Sequence, residues 1–157
     1  MNYHQLFCDN VIKEGTSGYL TASGYSMWPV IPDGTLAEIS PLGSLFPEKG
    51  DLLLINRDGR LTVHRCWKIV CHNGNPMVIT KGDTNLGFDP PTPLNQVLGR
   101  VVKLRFRVLG DMNPNRGFLK LYSEVICMAE PLARYWARIC QFLLRRKKRS
   151  CIDDGFR

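Results

Sequence analysis

A serine in a glycine-rich turn and a histidine in a strand-like run are the residues best suited to nucleophilic chemistry in this chain. Ser26 stands in the turn SGYSMWPVIPDG, where Gly24 lets the backbone approach another chain closely. His64 is a candidate base, because histidine changes its charge nearest to neutral pH. Asp83 or Asp89, both in TKGDTNLGFD, would orient the second ring nitrogen. These residue types predict a serine nucleophile with a histidine base and an acidic partner.

Several short segments, in their order along the chain, resemble the type I signal peptidase and LexA-like serine peptidase superfamily. The segments are Ser26-Met27-Trp28-Pro29, Asp33-Gly34, Lys49-Gly50-Asp51, His64-Arg65, Lys81-Gly82-Asp83, Asp89 and Gly99-Arg100. Bacterial signal peptidases and LexA-type members pair the serine with a lysine, whereas His64 occupies the place of the base here. The chain therefore looks like the archaeal and endoplasmic-reticulum branch, which works with Ser, His and Asp.

This resemblance implies the roles of the site residues and the way in which substrate binds. Ser26 is expected to be the nucleophile, His64 the general base and Asp89 the supporting acid, with Asp83 kept as a second candidate. The implied fold is mainly β, a compact coiled β-domain to which an extended peptide or precursor-protein substrate adds as a strand. The implied activity is that of a serine endopeptidase that removes a leader or signal segment and needs no cofactor.

The N-terminal residues indicate where such an enzyme would work. They lack the hydrophobic anchor that most signal peptidases carry before the serine box, and also the regions of a secretory signal peptide. We therefore expect a cytoplasmic leader peptidase. The alternative is a non-catalytic regulatory or nucleic-acid-binding protein on a LexA-like fold. Nucleic acid is the less favoured partner, because residues 1–16 are too few for a helix-turn-helix domain.

The pattern around the histidine is typical of short strands joined by tight turns. Asp58-Gly59 and Asn73-Gly74 predict two hairpins, because both dipeptides suit a two-residue turn with positive φ. With such a turn at Asp58-Gly59, Leu53 faces His64 across the first hairpin. A further strand is predicted from Val97 to Leu109 by its alternating pattern.

Two other interpretations of the histidine face compete with the serine site. His64, Cys66, Cys71 and His72 are potential zinc ligands within nine residues. The hairpin places the last two roughly 20 Å from His64, at about 3.3 Å per residue, so we expect no metal site. Asp51 shares the face of His64 and would be a third candidate to orient the ring, but we interpret it as a turn residue after Gly50.

The net charge of +7 is concentrated at one end of the chain. Residues 1–99 carry seven Lys or Arg against nine Asp or Glu, whereas residues 100–157 carry fourteen against five. The sequence divides into an N-terminal segment at 1–16 that suits a short helix, a β-rich peptidase domain at 17–110, and a basic amphipathic helical tail at 111–157.

The tail admits two interpretations. Apolar residues between Phe118 and Leu143 recur at spacings of three and four, which predicts a helix with a break around Glu130-Pro131. A basic run follows, formed by Arg145, Arg146, Lys147, Lys148 and Arg149. The helix either packs on the β-domain and leaves a solvated basic end, or lies on the inner face of the membrane and binds anionic lipid through its cations.

Overall fold

The computed structural model describes residues 15–106, 109–128 and 130–153, and residues 146–153 by their backbone alone. The helix predicted within residues 1–16 therefore falls almost wholly outside the described residues. The predicted hairpins form the centre of the described structure.

Both hairpin turns have the backbone that their dipeptides predict. Positive φ angles occur at Asp58 (51°) and Gly59 (80°), and again at Asn73 (49°) and Gly74 (78°). The first turn joins β3 (Leu52–Arg57) to β4 (Arg60–His72), and the second joins β4 to β5 (Asn75–Lys81). Leu53 pairs with His64 across the first hairpin, so the predicted register is confirmed.

The remaining strands complete one antiparallel sheet of eight strands, and the prediction of a mainly β protein is confirmed. These strands are β1 (Gly18–Thr21), β2 (Leu36–Ser40), β6 (Thr92–Pro93), β7 (Val97–Phe106) and β8 (Gly110–Met112), with a 3-10 turn at Leu94–Gln96. The strand order is β1-β2-β7-β3-β4-β5-β6, and β8 pairs with β7.

The strand predicted from Val97 to Leu109 ends earlier than the sequence pattern indicates. Phe106 already pairs with Gly110 of the next strand, because the chain reverses within a few residues. Gly110 has a φ of 72°, a conformation that suits glycine at such a reversal. The alternation of apolar and polar residues continues in the sequence to Leu109, so it does not mark the end of the strand.

Strand β3 is buried on both faces, which explains its unbroken apolar run. Leu52 and Leu54 pack in a cluster with Ala37, Val101 and other residues, whereas Leu53 and Ile55 pack with Cys66 and Val78 on the opposite face. Successive side chains of a strand point to opposite faces, so a central strand needs apolar residues at every position. His64 consequently projects from a strand that is held on a rigid sheet.

Two helices follow the sheet and pack against it. They are α1 (Gly117–Met128) and α2 (Glu130–Asp153), and the break between them lies where the sequence predicts it. Trp67 of β4 forms a buried cluster with Ile126, Cys127 and Ala133. Packing of the helix pair on the β-domain is therefore confirmed. In the part of the chain that the structure describes, neither helix is long and apolar enough to cross a membrane.

Candidate active site

Three predicted site residues form one hydrogen-bonded line. The Ser26 hydroxyl lies 3.1 Å from His64 Nε2, within reach to donate its proton. On the other side of the ring, Nδ1 lies 2.6 Å from Asp89 Oδ2. The side chain of His64 is 8% exposed and that of Asp89 13%, so both are largely shielded from solvent. This arrangement allows the imidazole to take a proton from Ser26 while the carboxylate fixes the ring orientation.

The serine loop is closed at its base by backbone and side-chain hydrogen bonds. Ala22 donates its N–H to the Thr35 carbonyl at 2.8 Å, and Gly24 donates to Asp33 Oδ1 at 2.8 Å. Met27, one residue past the serine, is 4% exposed and anchors the loop in the core. The loop is therefore fixed on both sides of Ser26, which holds the hydroxyl in place.

A second loop, from Gly82 to Asn85, holds the serine loop against the sheet. Thr84 donates its N–H to the Ser26 carbonyl at 2.9 Å, and its hydroxyl lies 3.0 Å from the Tyr25 carbonyl. The Gln141 amide of α2 in turn donates to the Thr84 carbonyl at 2.9 Å. The tail helix thus supports the loop that positions the nucleophile.

Gly82 is required by the close approach of these two loops. A Cβ at this position would lie 2.8 Å from the Ser26 carbonyl oxygen and 3.0 Å from His64 Nε2. Backbone atoms cannot yield as a flexible side chain can, so any larger residue must displace the serine or the histidine. The middle residue of the Lys81-Gly82-Asp83 segment is therefore explained by the geometry of the site.

Asp89 is held by two further groups. The Thr80 hydroxyl donates to Asp89 Oδ2 at 2.7 Å, and Arg57 Nη1 lies 3.4 Å from Oδ1. Arg57 also donates to Thr80 and Thr92, so the guanidinium joins three elements around the carboxylate. Burial acts to raise the pKa of Asp89, but the hydrogen bond and charge of His64, with Thr80 and Arg57, outweigh it and lower the pKa.

Asp83, the second acid named from sequence, binds elsewhere. Both of its oxygens accept from Arg65, at 2.8 Å from Nε and 2.7 Å from Nη2, and the pair is almost completely buried. Arg65 also donates to the Gly50 carbonyl at 3.1 Å and to the Ser123 hydroxyl of α1. Asp89 is therefore the acid that contacts the His64 ring. Asp83 instead pairs with Arg65, which contacts α1.

Asp51, the third candidate to orient the histidine ring, also has other partners. Its Oδ2 accepts the Glu48 N–H at 2.8 Å and lies 3.4 Å from Arg100 Nη1. The interpretation of Asp51 as a turn residue is confirmed. Gly50, which precedes it with a φ of 99°, exposes its carbonyl to Arg65.

The amine of Lys81 is buried against aromatic rings. Its Nζ lies 4.9 Å from the centre of the Trp67 ring and 5.6 Å from that of Phe88. Burial lowers the pKa of Lys81, and the positive charge of Arg134 lowers it further. The lysine of the Lys81-Gly82-Asp83 segment therefore packs against the aromatic residues that lie next to the helix pair.

The potential zinc ligands are dispersed. His64 is bonded to Ser26 and Asp89, Cys66 is buried with its pKa raised by burial and then by Asp51 to about 12, and Cys71 is exposed. Among the residues that the structure describes, no three His, Cys, Asp or Glu form a metal-binding cluster.

The serine opens into a cleft between β1 and the first hairpin. The cleft has a volume of about 470 Å³ and is lined on one side by Leu20 to Gly24 and on the other by Leu61 to His64. Within the described sheet, β1 pairs with β2 alone. A strand that is paired on one side presents backbone groups to an added extended chain. The cleft therefore suits a peptide in extended conformation.

Comparison with models of known protein families gives no match, and no curated protein is detectably similar to this chain. The support for a function therefore comes from the geometry of the site.

Sequence reasoning missed four contributors to the site, namely Arg57, Thr80, Thr84 and Gln141. Arg57 precedes the hairpin turn, Thr80 lies near the end of β5, and Thr84 follows the Lys81-Gly82-Asp83 segment. The strand register predicted from the hairpins identifies none of them, because their side chains contact residues that are not their partners in either hairpin. The position of Thr84, directly after Lys81-Gly82-Asp83, is the sequence feature that could have indicated its role.

Proposed function

We propose that this protein is a serine endopeptidase that cleaves a leader or signal segment from a peptide or protein precursor. The observation that carries the proposal is the line Ser26–His64–Asp89, whose serine end opens into a cleft beside an edge strand. The order of the sequence segments adds the resemblance to the Ser-His branch of the signal peptidase and LexA-like superfamily.

The proposed mechanism begins with attack of Ser26 Oγ on the scissile carbonyl carbon. His64 takes the hydroxyl proton, and the carbonyl oxygen becomes an oxyanion that the Ser26 backbone N–H would stabilise. Collapse of the tetrahedral intermediate breaks the C–N bond, and His64 passes its proton to the leaving amine. Water, activated by the same histidine, then releases the acyl group and restores the serine.

The proposed substrate is a chain that binds in extended form. An edge strand at the cleft supports backbone pairing, and the walls contributed by Leu20, Leu61 and Val63 are apolar. The resemblance adds an expected preference for small residues before the cut.

The decisive experiment labels the protein with a fluorophosphonate, which reacts with activated serines. The intact chain should be labelled, and Ser26→Ala should not. Ser23→Ala is the matched control, because Ser23 also lines the cleft and has a hydroxyl three residues away. It should be labelled like the natural protein. Cleavage of a peptide library should depend on Ser26 in the same way.

Two results would contradict the proposal. One is equal labelling of the natural protein and Ser26→Ala. The other is the absence of labelling and cleavage together with tight, salt-sensitive DNA binding, which would favour the regulatory, nucleic-acid-binding alternative.

A further inference from the structure

Each C-terminal helix has a second apolar side that faces away from the core. The core side of α1 includes Ile126 and Cys127, and that of α2 includes Ala133, Ala137 and Cys140. The solvent side carries large apolar residues that are between 44% and 81% exposed. We call these residues the exposed stripe: Phe118, Leu121, Val125, Met128, Leu132, Tyr135 and Leu143.

The spacing of the exposed stripe gives α1 a continuous apolar edge. In α1 its members follow one another at three, four and three residues, which places them on one side of a helix. They are offset from Ser123 and Ile126, which point to the sheet. The two halves are neighbours in sequence at the helix break, because Met128 ends α1 and Leu132 lies in the first turn of α2.

Positive charge borders this apolar edge. Arg138 and Arg145 are exposed on α2, and Arg134 is exposed while it pairs with Glu130 at 2.7 Å. The sequence of α2 continues with the basic run from Arg145 to Arg149. Residues 117–153 contain eight Lys or Arg against three Asp or Glu. The helix pair is therefore apolar on one side and cationic next to it.

We infer that the exposed stripe docks on the surface of an anionic lipid bilayer. A bilayer offers an acyl boundary for the apolar side chains and lipid phosphates for the adjacent cations, so both parts of the surface gain a partner. Neither helix has a span long and apolar enough to cross the bilayer, so the pair would lie along the interface. Docking does not depend on the serine chemistry, because the hydrogen bonds and ion pairs of Ser26, His64 and Asp89 in the described residues involve no residue of the exposed stripe.

The test measures binding of the full chain to sedimented vesicles. One set is pure phosphatidylcholine, and the other contains about one-third phosphatidylglycerol. The chain should bind the anionic vesicles about tenfold or more tightly than the neutral ones, and high salt should weaken the binding. The Ser26→Ala variant should bind equally well, which separates this test from that of the proposed peptidase activity.

Substitutions distinguish binding through the exposed stripe from non-specific binding through other exposed apolar residues. Phe118→Gln, Met128→Gln and Tyr135→Gln together should lower binding about tenfold or more, because they remove the apolar insertion. The matched control is Leu45→Gln with Phe46→Gln. These residues are 62% and 64% exposed but lie in a loop of the β-domain, so their replacement should leave binding unchanged. Replacing the basic run with Gln should abolish the preference for anionic vesicles.

Circular dichroism and Tm establish that each variant is folded. If the triple variant unfolds, Met128→Gln alone supplies the measurement, since Met128 is 81% exposed and should lower the affinity measurably. Three results would overturn the inference: no vesicle binding, equal binding to neutral and anionic vesicles, or a dimer in sedimentation that the stripe variant disperses. The last result would make the stripe an interface between copies of this chain.

Discussion

Two carboxylates six residues apart in one segment serve opposite purposes in this molecule. Asp89 lies at the end of the serine–histidine line, part-buried, and its partners Arg57 and Thr80 leave the far side of the histidine open to the cleft. Asp83 is enclosed with Arg65 and has no exposed side-chain surface. In the proposed peptidase, Asp89 orients His64 for proton exchange with the substrate, whereas the Arg65–Asp83 pair joins the sheet to α1.

The difference between the two acids shows that the surroundings of a charged pair determine whether it stabilises the fold or supports chemistry. A buried pair that satisfies both partners costs much to break, because removal of one partner leaves an uncompensated charge. A carboxylate beside a histidine that reaches solvent through a serine stabilises the charge that develops on the ring during catalysis. Substitution at each acid should therefore separate activity from stability.

The largest expected effect is that of Asp89→Asn on turnover. The change should lower kcat by a factor of about 10⁴, because the neutral amide no longer favours the productive orientation and charge of His64. Steady-state kinetics on a cleavable peptide measures this loss. The free energy of unfolding should fall by no more than about 1.5 kcal/mol, since the amide can keep a hydrogen bond to Thr80. A large fall in Tm with little loss of kcat would reverse the roles assigned to the two acids.

Asp83→Asn should have the opposite signature. The free energy of unfolding should fall by about 3–5 kcal/mol, because the buried Arg65 loses its charge partner. Chemical denaturation measures this change, and the fraction that stays folded at low temperature should keep most of its kcat. Unchanged stability would show that the Arg65–Asp83 pair does not join the sheet to α1.

Gly82→Ala should disturb the site through shape alone. The added methyl would meet the Ser26 carbonyl and His64, so kcat should fall by about 10²-fold from misplacement of the reacting groups. Gly87→Ala is the matched control in the same connection between β5 and β6, because a Cβ there meets nothing within 4 Å. Equal activity of the two variants would show that the close approach at Gly82 is not needed.

Arg57→Gln should lower turnover less than Asp89→Asn or Gly82→Ala does. Loss of its charge beside Asp89 should lower kcat about tenfold, equivalent to ~1.4 kcal/mol. Arg60→Gln is the control, because Arg60 pairs with Arg57 across the hairpin and lines the same cleft. It should keep kcat within about twofold of the natural protein.

Arg57→Gln should also change the pH dependence of the free energy of unfolding. The lowered pKa of Asp89 stabilises the fold above the ordinary aspartate pKa of about 3.9, and this contribution is lost as pH falls through the folded value. Because Arg57 helps to lower that pKa, the Tm of Arg57→Gln should lie below that of the natural protein at neutral pH. The difference should narrow in acid, and a constant difference from pH 3 to 7 would exclude this linkage.

Local chemistry explains why part of the fold and site could be predicted. Asp58-Gly59 fixes a two-residue turn, the turn fixes the register, and the register places His64 opposite Leu53. The apolar period of residues 118–143 likewise predicts a broken helix. Each of these inferences depends on neighbours in sequence, whose geometry is set by backbone sterics.

The choice between acids could not be made in this way. Asp83 and Asp89 have the same side chain and neighbouring positions, so the conformation of their loop determines which one reaches His64. The exposed stripe could not be predicted from the sequence either. A helical period identifies the apolar positions but does not show which of them the sheet covers.

The sequence by itself determined the hairpins, the mainly β class and the residue types of a serine site. Tertiary structure decided that Asp89 completes the line, that Asp83 neutralises Arg65, and that Gly82 must lack a side chain. The physical reason is distance. Turns and periods are set by residues a few positions apart, whereas these contacts join loops and strands that meet when the whole sheet has formed.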